Sequence, residues 1–182
     1  MTNVQYASSG TVVDTAAVLA LVYDHGPTFD LAIADIVREL KQRGLRLAGI
    51  SQTNLPREGR VRCDMMVEEL SSGHRLKISE DRGSGAHGCR LDLSAMAEAV
   101  ALVEQALETS VDLLVLNKFG KEEAEGRGFR NSMATSIERG IPVLVGVPQR
   151  NLAAFRAFCG GIAVEREAAS STVSDWVDSN SL

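Results

Sequence analysis

The sequence predicts an α/β fold: an open, mostly parallel sheet in three layers, with helices on both faces and one inserted β-hairpin. Three observations predict it. Short unbroken apolar runs, "AAVLALVYD", "VDLLVLN" and "IPVLVGVP", read as strands buried on both faces. They alternate with longer segments whose apolar residues recur at helical spacing. And "VRCDMMVEEL" and "HRLKIS" flank "SSG", a turn signal that makes them a hairpin.

In chain order, residues 1–15 are polar and read as a flexible lead-in, residues 16–162 as a single domain, and residues 163–182 as a polar C-terminal tail. The domain opens with the strand "AAVLALVYD", which "HGPT" breaks. The helix "FDLAIADIVRELKQRG" follows, with Leu31, Ile33, Ile36, Val37 and Leu40 on its apolar stripe and Gly44 past its end. "LRLAGISQ" is the second strand, giving a parallel strand–helix–strand unit. After the hairpin, "EDRGSGAHGCR" is a loop, and "LDLSAMAEAVALVEQALET" is a helix capped by Asp92 or Ser94. "EAEGRGFRNSMATSIERG" contains a helix ending near Gly140, and "NLAAFRAFCGG" is a short helix stopped by its glycines. The tail is polar except for Val173, Trp176 and Val177, which predict a short docked helix or a loose end.

Composition narrows the function. A chain of 182 residues with 45% hydrophobic content can bury a full core, built mainly from aliphatic residues because aromatics make up 4%. The net charge of −5 argues against a nucleic-acid binder, which needs a basic face. No apolar run reaches the roughly 20 residues of a membrane span, and the N-terminus lacks the pattern of a secretory signal. Cys63, Cys89 and Cys159 form no CxxC pair, so neither a disulfide framework nor a metal site is expected. A cytoplasmic, reduced protein is the expectation, with a homodimer as the default assembly.

In a sheet of this kind ligands sit at the carboxyl ends of the strands. Three loops converge there: "YDHGPTFD", "NKFGKEEAEGRG" and "VPQRN", with "GSGAHGCR" able to lean onto the same edge. The first occupies the place of a phosphate loop. That motif needs several glycines and a Lys-Ser/Thr pair to wrap and neutralise phosphate; here only His25, Gly26 and Thr28 stand in its place, between Asp24 and Asp30. "LVLNKFG" lacks the Asp of the guanine-reading N-K-x-D motif and carries no acid directly after the strand for Mg²⁺. "EDRGSGAHGCRLD" has the glycines and basic residues of an anion nest. No HxxxH, HExxH or G-x-S-x-G pattern supports a hydrolase, and no catalytic residue is assigned.

Two resemblances follow from these segments. "GRVRCDMMVEELSSGHRLKI", "GCRLDLSAMAEAV" and "LVLNKFGKEEAE" resemble, in order and over residues 16–160, the small P-loop nucleoside-triphosphatases first described from thermophiles. That resemblance implies a sheet of P-loop-NTPase type, with the phosphate-loop Lys and Thr lost and the metal-holding acid replaced by Asn117-Lys118. "SEDRGSGAHGCRLD" and "NKFGKEEAEGRGFR" are similar to the signatures of a bacterial family of uncharacterised proteins encoded near molybdenum-transport genes. This second resemblance implies a role in molybdate or tungstate handling, alongside protein partners in molybdenum metabolism.

Three readings result. The first is a small-oxyanion binder using Gly83, Ser84, Gly85, Gly88, Arg90, Lys118, Lys121, Arg127 and Arg130, with molybdate or tungstate as ligand. The second is a nucleotide-binding protein or slow NTPase in which Lys118 or Lys121 replaces the phosphate-loop Lys and Glu122 or Glu123 holds Mg²⁺. The third is a partner-binding scaffold that docks through the tail around Trp176.

Overall fold

The computed structural model describes residues 17–55, 63–80 and 91–182. The predicted lead-in and the "GSGAHGCR" loop, including Gly83, Ser84, Gly85, Gly88, Cys89 and Arg90, lie outside the described residues.

Seven strands form one sheet in the order β4-β3-β2-β5-β6-β1-β7. The parallel part comprises β1 (Val18–Tyr23), β2 (Leu47–Leu55), β5 (Leu113–Leu116), β6 (Val143–Pro148) and β7 (Ala163–Glu167). β3 (Asp64–Glu69) and β4 (Arg75–Lys77) add the predicted hairpin, antiparallel, against β2. The helices are α1 (Gly26–Gln42), α2 (Leu93–Leu107), α3 (Lys121–Ala124), α4 (Arg130–Glu138), α5 (Leu152–Cys159) and α6 (Ser170–Ser179).

The unbroken apolar runs are strands buried on both faces, because alternate side chains point to opposite sides of a sheet. On β1, Val18 and Ala20 join the core layer that holds Val103, Met133 and Phe155 from α2, α4 and α5. Leu19 and Leu21 join the other layer, with Ile33 and Leu40 of α1 and Trp176 of α6. β5 divides the same way, Leu114 and Leu116 against Leu113 and Val115.

Two local expectations change. Leu31, expected on the buried stripe of α1, is 73% exposed, and Phe29 is buried instead. The helix expected to end near Gly140 is α4; the short α3 precedes it, separated by a turn in which Gly126 and Gly128 adopt positive φ. Residues 163–182 are not a polar tail: β7 pairs with β1, and α6, the docked helix that Val173, Trp176 and Val177 predict, buries those three against α1. Charged flanks made this segment look like surface, yet Arg43 pairs with Asp178 and the Ser174 hydroxyl donates to Glu39 at 2.8 Å. No helix among the described residues is long and apolar enough to cross a membrane.

Candidate functional site

The carboxyl edge of the parallel strands carries two very different connections. Between β1 and α1 the chain has only Asp24 and His25. His25 caps the helix, its Nδ1 accepting from the Thr28 backbone N–H at 3.4 Å and lying 2.8 Å from the Thr28 hydroxyl. So short a connection does not provide the run of backbone N–H groups with which a phosphate loop encloses its ligand.

Behind it, Tyr23 stacks on Phe29 with ring centroids 4.0 Å apart. Burial, reinforced by Asp30, pushes the Tyr23 hydroxyl up to about 12, with Arg150 pulling the other way. The Phe29 ring lies over Gly146 of β6, where a Cβ would come within 2.4 Å of it, so this glycine lets helix and strand approach.

Asn117, directly after β5, is fully buried. Its Oδ1 accepts from the Gln52 backbone N–H at 3.1 Å, and its Nδ2 donates to Asp30 at 2.8 Å. Asn54 donates to the other Asp30 oxygen at 2.7 Å and accepts from the Gln52 amide at 3.1 Å. The position from which a P-loop enzyme would hold Mg²⁺ therefore carries a neutral amide built into a network across β2, β5 and α1.

The following loop is tied from within. Glu123 is 2% exposed and accepts from the Gly120 N–H at 2.8 Å and the Phe129 N–H at 3.0 Å. Burial pushes its carboxyl above the ordinary range, against the opposing pull of those N–H groups. The bond to Gly120 is the reach-back half of a capping box, a signal legible in the acid three residues after Gly120. Gly128, at φ +59°, passes so close that a Cβ there would lie 2.1 Å from a Glu123 oxygen.

The cations named from the sequence divide. The Arg127 guanidinium donates to Glu122 at 2.8 Å and to Glu125 at 2.5 Å, and these partners hold its pKa above the usual arginine value. Arg130 lies over the Phe158 ring at 4.7 Å. Neither lines the cavity beside Asn117, whereas Lys118 and Lys121 do. Lys121 also lies 3.7 Å from Glu125. Arg150, at the turn after β6, is a third cation on the cavity wall. Sequence reasoning reached its loop, "VPQRN", but did not name it, because only the packing of β6 beside β5 brings it to the site. Glu122 and Glu123, offered as Mg²⁺ ligands, are engaged by Arg127 and by backbone N–H groups. Among the described residues no group of three or more His, Cys, Asp or Glu is placed to hold a metal.

The cavity measures about 220 Å³. Ile50 and Gln52 of β2, Met65 of β3 and Met96 of α2 line it together with Asn117, Lys118, Lys121, Phe129 and Arg150, and the carboxylates Glu122 and Glu123, engaged by Arg127 and by backbone N–H groups, also reach it. It lies on the α2 face of the sheet, and none of Asp24, His25, Gly26 or Thr28 reaches it.

Comparison with known proteins adds relationship to this geometry. The fold is similar to that of the crystal structure of THEP1 from the hyperthermophile Aquifex aeolicus, with a TM-score of 0.57 and 16% identity, over 91% of this chain and 96% of that one. The chain is also 38% identical over 150 residues to the molybdenum import ATP-binding protein ModC 2 of Bradyrhizobium diazoefficiens. That match takes in 82% of this chain but only 17% of the longer relative. A family model described as "Protein of unknown function (DUF2478)" matches residues 18–176.

Proposed function

The chain belongs to the DUF2478 family, and from that premise we propose that it is a non-catalytic binding module for a small tetrahedral oxyanion, molybdate or tungstate, in molybdenum handling. The observation that carries this reading is the meeting of Lys118, Lys121 and Arg150 on one small cavity at the carboxyl edge of the sheet. An anion gains most from several fixed charged donors around one point. At about 220 Å³ the space admits a small oxyanion and lies below the roughly 300–1,000 Å³ typical of drug-sized ligands. Gly83, Ser84, Gly85, Gly88 and Arg90 remain part of the proposed donor set on sequence alone, since they fall between Glu80 and Leu91. Arg127 and Arg130 serve the loop's own structure in this reading. The choice of metal rests on the likeness to a segment of a molybdenum import protein. A protein partner from the same process, and a homodimer, belong to this proposal as well.

A nucleotide is the second reading, favoured by the likeness to a segment of a protein described as ATP-binding. It has to work with a connection of only Asp24 and His25 where the phosphates would lie, and without an acid at Asn117.

The test is thermal unfolding of the purified chain with molybdate, tungstate, sulfate, phosphate, and ATP or GTP with and without Mg²⁺. A ligand that binds only the native state stabilises it by about 2.7 kcal/mol at one hundred times Kd, a shift of several degrees. A shift with molybdate or tungstate, lost in Lys118→Ala or Arg150→Ala, is the expected result. A shift only with Mg²⁺-nucleotide would replace this proposal with the second reading.

A further inference from the structure

The cavity holds more than an anion needs. Among the described residues, the apolar part of its lining is Ile50, Met65, Ile78, Leu91, Met96 and Phe129. A bare dianion pressed against such walls would give up its water without gaining donors, so it stays beside the cations and leaves this apolar chamber unfilled. Folded proteins keep few voids larger than a water molecule, and ligand pockets are the usual exception: apolar walls with a few placed polar groups. Two of these walls are methionines, whose unbranched, polarizable side chains adapt to a ring and make favourable sulfur–aromatic contacts. A buried amide, Gln52, lines the same space and is held in place by its Nε2 donating to Asn54 at 3.1 Å and its backbone N–H donating to Asn117 at 3.1 Å.

Resting on the anion-binding reading above, we propose that the anion is carried on a flat apolar body: the ligand is an aromatic or heteroaromatic monoester of a tetrahedral oxyacid, of the phosphate type. Its ring fills the chamber, a polar edge of the ring meets the Gln52 carboxamide, and its charged group meets Lys118, Lys121 and Arg150. This site is separate from the place where a P-loop nucleotide binds, because the β1–α1 connection contributes no residue to it.

The experiment is isothermal titration of the full chain, without Mg²⁺, using inorganic phosphate, molybdate, methyl phosphate, phenyl phosphate, 1-naphthyl phosphate and phenol. Burying one ring should tighten phenyl or naphthyl phosphate by about tenfold or more over methyl phosphate. Binding of the aromatic esters should also carry a more negative heat-capacity change, the mark of apolar burial. Phenol should bind more weakly than phenyl phosphate, since it lacks the charge. In Met96→Asp, which sets a carboxylate in the chamber, the preference for the aromatic ester should vanish; Met65→Ser should reduce it, and the ligand-free melting temperature of each variant reports its folding. If molybdate binds and the aromatic esters bind no tighter than methyl phosphate, the chamber proposal is overturned and the oxyanion reading stands. If the aromatic esters bind and molybdate does not, the chamber proposal stands and the inorganic ligand falls. If nothing binds, both fall.

Discussion

Two connections leave the same edge of one sheet, and they are built in opposite ways. Between β1 and α1 there are only Asp24 and His25, and the helix end is closed by the His25 side chain. Between β5 and α4, residues 117–129 form a loop with its own short helix, its own buried carboxylate and a cavity at its side. In a P-loop enzyme the first of these holds phosphate and the second holds the metal. Here the first is a two-residue turn and the second is a long loop with its own hydrogen-bonded centre. The core layers are set by strand and helix packing and leave the loops free to differ, so the fold alone does not fix the site.

The largest expected effect is at the centre of the long loop. Glu123→Ala would leave the N–H groups of Gly120 and Phe129 buried without an acceptor. Bonds to a charged group are worth about 1.5–3 kcal/mol each, so the loss should be about 3–5 kcal/mol in urea unfolding. A loss below about 1 kcal/mol would mean that the loop is not pinned there. Next comes Asn117→Asp, which would restore an acid after β5 but set it against Asp30, now 2.8 Å from the Asn117 amide. About 2–4 kcal/mol of destabilisation is expected from two like charges at a buried site. Adding Asp30→Asn should recover most of it, since the two sites are in contact and couple. If Asn117→Asp alone is neutral, this amide network does not hold the edge together.

A pair of glycines then separates backbone strain from crowding. Both Gly126 and Gly128 have positive φ, but a Cβ at Gly126 meets open space while one at Gly128 meets the Glu123 carboxylate at 2.1 Å. Gly126→Ala should cost about 1 kcal/mol, the ordinary price of a left-handed alanine, and Gly128→Ala about 2–3 kcal/mol. Equal losses would show that the carboxylate swings aside freely. Acidity gives a smaller signal of known sign. Burial raises the Glu123 carboxyl above its ordinary value near 4.5. The folded state therefore binds the proton more readily than the unfolded state, and this residue's contribution is greatest below the unfolded value and lost as pH rises through the folded one. The stability of the wild type relative to Glu123→Gln should accordingly improve as the pH is lowered from 7 toward 4.5. A difference that shrinks on acidification would reverse that assignment.

How much of this could be read beforehand differs between core and edge. The buried strands were legible because β1, β5 and β6 lie between two helix layers, and burial on both faces leaves an apolar run no alternation to hide in. The hairpin was legible from "SSG", where Glu69 accepts from the backbone N–H groups of Ser71 at 3.0 Å and Ser72 at 2.8 Å. Phe29 was legible from spacing, since it stands four positions before Ile33 and seven before Ile36, whereas Leu31 falls on the opposite side of the helix; strict periodicity excludes Leu31 from the stripe, and Phe29 stacks on Tyr23. The last strand was hidden because β7 sits at the sheet edge, where Glu165 pairs with Arg156 at 2.7 Å and charge looks like exposure. At the site, "NKFGKEEAEGRGFR" stood out as a motif, but its charges could not be assigned from order alone. Arg127 and Glu122, five positions apart, neutralise each other, whereas Lys118 and the distant Arg150 share one wall. Long-range pairing of β5 with β6 creates that wall, and no local pattern encodes it.

The smallest expected effect tests the comparison most directly. His25→Ala removes the side chain that closes the amino end of α1, but the bond it makes to the Thr28 N–H is long, 3.4 Å, and exposed. Losing a helix cap costs about 0.5–2 kcal/mol, and an exposed, stretched one belongs at the low end. The variant should therefore unfold within about 1 kcal/mol of the wild type and should bind molybdate or phenyl phosphate as the wild type does, because His25 does not line the cavity. Both readouts are needed, since a small loss of stability alone would fit a helix end of any purpose. Unchanged binding would place recognition wholly on the β5–α4 side. Binding lost with stability kept would mean that the amino end of α1 still receives the anion, and that a connection of only two residues can serve as a phosphate loop.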